Sequence, residues 1–264
     1  MNDFQESNEQ KQGKVLLASI MVAALILPLL FFVAIEYWEL DGWPVYFSQI
    51  GLYLSFYLLA FWGLKRENIS LPINSRLLGQ AIGWVFVGWL LYTLIIHLLG
   101  VVKWPDEIQV LRSTPVWKVG ALILSTWFFV GMGEEILFRG YFLAAFWRYF
   151  TTGSSRRRTI QAILLSSVFF SLWHLPVRIT WLLSGELDIA MLLLSLVMLF
   201  LLGIGFAYLF LLTRNIVLVG LVHGVMNYSL IGLETQLSFI ILLVCIGLAA
   251  MARLVPVNQK AVPS

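Results

Sequence analysis

Residues 189–213 read IAMLLLSLVMLFLLGIGFAYLFLLT, 25 consecutive residues without a charge, bounded by Asp188 and Arg214. At 1.5 Å per residue such a helix is roughly 37 Å long, enough to cross a hydrocarbon core of about 30 Å. It is apolar on every face, so it has no side suited to water. Working outward, further apolar runs occupy 15–38, 44–64, 77–102, 119–147, 160–175, 216–230 and 237–252. The pattern predicts an all-α, polytopic integral membrane helix bundle of about eight transmembrane helices. The 119–147 run is overlong and is expected to tilt, to bend at Gly131 and Gly133, or to continue beyond the membrane. The 160–175 and 216–230 runs are short and each holds a histidine, which suits helices inside the bundle rather than against lipid.

Composition agrees. Of 264 residues 60% are hydrophobic and 12% charged, about half the charge of a soluble domain, and the mean hydropathy is +0.90. The net charge is only +3, and no basic face is interleaved with aromatics, so nucleic acid is not an expected partner. Cys245 is the single cysteine, which excludes an intrachain disulfide and a cysteine metal cage. Residues 1–14 form a polar tail, and the run after them is longer than a signal-peptide core, so it reads as a retained first span. With that tail in the cytoplasm, eight crossings put twelve basic residues, from Lys11 to Lys260, on the inner side. Only Lys103, Arg112, Lys118 and Arg178 fall outside. This is the positive-inside skew, and it sets both termini in the cytoplasm. The acidic residues Glu36, Glu39, Asp41, Asp106, Glu107, Glu186, Asp188 and Glu234 fall outside.

Ionisable groups inside the spans are few and concentrated. Glu134, Glu135 and Arg139 lie in 119–147, His174 in 160–175, and His223 with Asn227 in 216–230. A charge at mid-bilayer costs about 2.5–3.5 kcal/mol on insertion scales, so adjacent glutamates are an expensive feature. Glu135 and Arg139 are four apart and share a helix face, whereas Glu134 lies about 100° around. Arginine can therefore neutralise one carboxylate while the other points elsewhere. His223 and Asn227, also four apart, can project into one cavity, and Phe170 stands one turn before His174. A carboxylate, two imidazoles and a carboxamide have the parts for hydrolysis: a base for water, a group to hold that water, and donors for an oxyanion.

These residues carry a resemblance. Glu134-Glu135-Ile-Leu-Phe-Arg139 fits EExxxR, Phe170-Ser-Leu-Trp-His174 fits FxxxH, and His223-Gly-Val-Met-Asn227 fits HxxxN, in order and each within an apolar span. The chain resembles the CAAX prenyl protease and bacteriocin-processing family of intramembrane endopeptidases, also called Abi or type II CAAX proteases. The resemblance implies that Glu134 activates water, that His174 positions it, that His223 and Asn227 form the oxyanion hole, and that Glu135, Arg139 and Phe170 support the site. It covers 119–231, the expected catalytic segment; the three spans in 15–118 carry no motif and lie outside it, as do the last span and tail in 232–264. The implied partners are the lipid bilayer and a peptide or membrane-protein substrate, in a bacterial plasma membrane.

Rival chemistries are weighed against this. No cofactor is expected; were zinc present, Glu134, His174 and His223 would be its ligands, although no HExxH occurs. No aspartate falls within a span. Ser171 lies near His174 but without GxSxG. A non-catalytic immunity or scaffold protein on this fold is a further alternative. A transporter is less favoured, because no internal repeat is visible. His97 matches no motif and reads as an interfacial residue.

Overall fold

The computed structural model describes residues 8–37, 43–71, 73–150, 152–231 and 236–254. The expectations for Glu39, Asp41, Glu234, Lys260 and the ends of both tails fall outside the described residues. Apart from a single 3-10 turn at Gln236–Ser238, the regular structure among them consists of longer helices. We number these α1 (Asn8–Tyr37), α2 (Trp43–Arg66), α3 (Ser75–Leu98), α4 (Trp104–Ser113), α5 (Val116–Tyr149), α6 (Ser155–Trp173), α7 (Leu175–Leu183), α8 (Ile189–Thr213), α9 (Ile216–Asn227) and α10 (Phe239–Leu254).

Among the described residues six helical stretches are long and apolar enough to cross a membrane: α1, α2, α3, α5, α6 continued by α7, and α8. Each of the eight apolar runs forms a helix, but α9 and α10 are shorter than a bilayer is thick. The protein is a polytopic helix bundle. Lipid-facing surfaces are evident where Leu193, Leu194, Val197 and Leu201 of α8 lie exposed.

Short polar side chains set the helix starts. Asn74, Ser154, Asp188 and Asn215 each accept from the backbone N–H three residues on, at 2.9, 3.4, 2.7 and 3.1 Å, satisfying a donor that the helix leaves open. Asn215 also donates to the Leu77 carbonyl at 2.8 Å, tying α9 to α3.

Helix α9 is the centre of the bundle. Ile216 through Val225 are buried without interruption, so its short apolar run is wrapped by protein, as expected. It packs on α3, α5, α8 and α10. The approach to α5 is close enough to require glycine. A Cβ on Gly131 would lie 2.5 Å from the Gly224 nitrogen, and one on Gly224 would lie 3.0 Å from the Trp127 carbonyl. Such small-residue faces bring helix backbones together in membranes.

Two expectations differ. Helix α6 is not enclosed: Leu164, Val168 and Leu172 point outward, because the helix continues through α7 to Leu183 and spans with one lipid-facing side. The overlong 119–147 run forms α5, which is helical over 34 residues without interruption. Its length is accommodated by two π-helical stretches, Leu124–Gly131 and Ile136–Phe142, in the second of which the Leu143 N–H reaches back five residues to Phe138. They bracket Glu134 and Glu135. π-Turns of this kind cluster at functional positions. The short α4 falls where a plain loop was expected.

Candidate active site

Three helices deliver the polar groups to one place. Glu134, Glu135 and Arg139 come from α5, His174 caps the end of α6, and His223 comes from α9. Glu134, Glu135 and Arg139 are each no more than 1% exposed.

The two carboxylates divide as the helix geometry predicts. Arg139 donates to Glu135 Oε1 at 3.0 Å, one turn away, and to the Gly203 carbonyl of α8 at 3.0 Å. Its guanidinium lies over the rings of Phe170 and Phe206, at 4.4 and 5.2 Å from their centroids, a favourable cation–π setting. His223 Nδ1 contacts the same Glu135 oxygen at 2.8 Å. Because that oxygen also receives the arginine, Nδ1 is the donor and Nε2 faces away from Glu135.

Glu134 points elsewhere. Its Oε1 accepts from the Tyr53 hydroxyl at 3.0 Å. Its Oε2 is buried without a direct hydrogen bond, and stands 3.8 Å from both His174 Nε2 and His223 Nε2. That is too long for a direct hydrogen bond and short enough for one water molecule to bridge. His174 is held by its other nitrogen, which donates to the Phe170 carbonyl at 2.8 Å. Since a carbonyl only accepts, Nδ1 carries the proton and Nε2 is free to accept from water. The imidazoles are walled by aromatics: Phe170 and Trp173 each meet His174 edge-on at 4.8 Å, and Phe206 stacks on His223 at 4.8 Å and 22°.

These groups open into a cavity of about 410 Å³ whose other walls are mostly apolar, among them Phe31, Val130, Trp181 and Leu202. Asn227, the last residue of α9, lines the same cavity from an exposed position; its carboxamide does not reach Glu134 or either imidazole. Of the residues singled out in sequence, Glu134, Glu135, Arg139, Phe170, His174 and His223 thus meet directly. Asn227 shares only the cavity. Ser171 is turned away, donating to the Leu196 carbonyl at 2.7 Å. His97 is exposed in the last turn of α3.

Sequence reading missed Tyr53, Trp173, Phe206 and the Gly203 carbonyl. Their only signals were generic: Tyr53 and Tyr57 lie four apart on one face of α2, and Phe206 follows Gly203 in a wholly apolar run. The fit of a zinc ion can be tested on the donors. Both outer imidazole nitrogens are engaged and both Nε2 atoms converge, the orientation that metal-binding histidines take. As placed, however, no group of three or more His, Cys, Asp or Glu side chains among the described residues is arranged to hold a metal ion.

Residues 116–229 match the family model described as type II CAAX prenyl endopeptidase, Rce1-like. This segment, somewhat under half of the chain, is similar to the CAAX-protease family. The match spans all of α5 through α9, the helices that deliver every motif residue. No curated protein matches the chain, and no solved structure does. Tyr53 reaches into the matched segment from outside it, through its hydroxyl bond to Glu134.

Proposed function

We propose that the protein is an intramembrane endopeptidase in which Glu134 activates water for attack on a peptide carbonyl. The observation that carries this reading is the equal 3.8 Å spacing of Glu134 Oε2 from two imidazole Nε2 atoms inside a buried cavity. A water seated there donates one proton toward Glu134 and the other toward His174 Nε2. Glu134 takes its proton as the oxygen bonds to the carbonyl carbon, and returns it to the departing amine as the C–N bond breaks. Negative charge on the carbonyl oxygen is met by His223 Nε2–H and the Asn227 amide.

The protonation pattern is consistent. With Nδ1 donating to ionised Glu135, His223 can donate from Nε2 only as the imidazolium. Two carboxylates, one guanidinium and one imidazolium then sum to zero, as a buried cluster in a membrane requires. In this reading residues 119–231 are the catalytic domain, and the basic end of the bundle faces the cytoplasm of a bacterial cell. The substrate is a peptide or membrane protein that reaches the cavity, and no cofactor is used.

A zinc enzyme is the second reading, suggested by the convergent Nε2 atoms: Glu134, His174 and His223 would be the ligands once drawn closer, and the metal would supply a polarised water. Detergent-purified protein with a fluorogenic peptide panel separates the readings, using Glu134→Ala, His174→Ala and His223→Ala with and without chelator. Cleavage lost in all three variants and retained in chelator supports the glutamate mechanism. Loss in chelator with recovery on adding zinc replaces it with the metal route. Biological activity unchanged in a folded Glu134→Ala variant would make the protein a non-catalytic partner.

A further inference from the structure

A second cavity, of about 440 Å³, opens where α2, α5 and α8 end, between those helices and α6. It shares no lining residue with the catalytic cavity. Its lining is mixed: Leu71, Ala144, Ala162 and Phe210 are apolar, and Ser70 and Thr159 add hydroxyls, of which Thr159 donates to the Ser155 carbonyl at 3.0 Å. Three arginines line it, Arg139, Arg148 and Arg214, and no carboxylate does among the described residues.

The arginines are not equivalent. Arg139 and Arg148 are balanced from behind by Glu135 and Glu67, at 3.0 and 2.6 Å. Arg148 uses one nitrogen for Glu67, leaving a side chain 44% exposed. Arg139 has a buried Nε without a hydrogen-bond partner. Arg214 pairs with no carboxylate among the described residues, and it caps α8 in the left-handed conformation, φ 53° and ψ 27°. That position ordinarily goes to glycine or asparagine, and an arginine there is strained. Arg253 binds the Leu211 and Leu212 carbonyls at 2.7–3.1 Å, which adds another cation at the same end of the bundle. A crevice with cations and hydroxyls at its mouth and hydrocarbon walls running about nine residues, roughly 13 Å, up α5 to Arg139 matches an amphiphile with an anionic head.

We propose that this crevice binds an anionic phospholipid. The phosphate is held by Arg214, the open donors of Arg148 and the Ser70 hydroxyl, and an acyl chain lies along Leu71, Ala144 and Phe210. A free phosphate would satisfy the mouth and leave the apolar walls uncovered. The site stands independently of the catalytic reading, although its inner end is the arginine that holds Glu135.

Native mass spectrometry of the full chain in detergent, titrated with phosphatidylglycerol, tests this. Phosphatidylglycerol is expected to be retained in preference to phosphatidylcholine of the same chains. Arg214→Gln is expected to weaken it about fivefold, and Ala144→Phe, which fills the crevice, to remove it. Thermal melting checks that Ala144→Phe is folded; the exposed Arg214→Gln decides the question alone if it is not. Equal retention by wild type and Arg214→Gln overturns the proposal. So does equal binding of phosphatidylcholine, or displacement of phosphatidylglycerol by inorganic phosphate.

Discussion

His223 Nδ1 lies 2.8 Å from Glu135 Oε1, and Arg139 binds that same oxygen from the other side at 3.0 Å. The second glutamate of the pair is therefore a junction rather than a spare base. It fixes the tautomer and ring orientation of one imidazole while absorbing the charge of a guanidinium that solvent does not reach. Glu134, one residue earlier, accepts no hydrogen bond from Arg139, and turns one oxygen toward two imidazoles and the other toward Tyr53.

The two glutamates should fail in different ways. Glu134→Gln keeps the shape and an acceptor for Tyr53 but removes the base. Peptide cleavage is expected to fall at least about 100-fold with thermal stability close to wild type. Glu135→Gln leaves Arg139 buried beside a neutral amide, and losing one partner of a buried pair costs about 3–5 kcal/mol. Its melting temperature should drop well below that of Glu134→Gln. Equal stability of the two variants would contradict the division of roles.

Much of this was legible beforehand because it is local. Glu135 and Arg139 are four apart on one helix, so their pairing follows from helical pitch alone, and the 25-residue run at 189–213 announces a membrane span by length. Contacts between helices were not legible in the same way. Nothing about Tyr53 among the aromatics of α2 says that its hydroxyl ends on Glu134, since that depends on how α2 rotates against α5. Phe206 likewise looks like one more lipid-facing residue until α8 packs beside α9. The π-helical stretches of α5 were hidden because a π-turn changes hydrogen bonding without a residue type that marks it. Asn227 shows the opposite limit: the HxxxN spacing sets it one turn after His223, yet α9 ends there and leaves it at the cavity edge.

Tyr53→Phe tests whether the first half of the chain contributes to the site. The ring packs edge-on against Phe56 at 5.5 Å and against Trp173 at 6.3 Å, and phenylalanine preserves both contacts. Only the hydroxyl bond to Glu134 is lost, a hydrogen bond to a charged group worth about 1.5–3 kcal/mol. Turnover should fall by roughly 10- to 100-fold, with KM little changed, because the hydroxyl orients the base rather than the substrate. A large rise in KM with unchanged kcat would assign Tyr53 to substrate binding instead.

Gly224→Ala tests the close approach of α9 to α5. The added methyl would meet the Trp127 backbone, which has no flexible side-chain end to move aside. Overpacking of this kind costs about 1–3 kcal/mol, and relief requires α9 to shift away from α5, carrying His223 with it. Both melting temperature and cleavage rate should fall. Gly120→Ala on the facing helix α5 meets nothing within 4 Å and should leave both unchanged, which makes it the control.

Arg139→Lys keeps the charge and is still expected to be severe. Arginine uses one nitrogen for Glu135 and another for the Gly203 carbonyl, and presents a flat face to Phe170 and Phe206. A lysine ammonium is a compact, strongly hydrated charge that cannot span both acceptors from one position or stack on the rings. If it stays with Glu135, the Gly203 carbonyl is left unsatisfied at about 1–3 kcal/mol; if it moves to Gly203, Glu135 loses its counter-charge and His223 its fixed partner. Thermal unfolding and peptide cleavage measured together should both decline in Arg139→Lys. A variant with wild-type stability and rate would mean that charge alone, and not the forked geometry, holds the second glutamate in place.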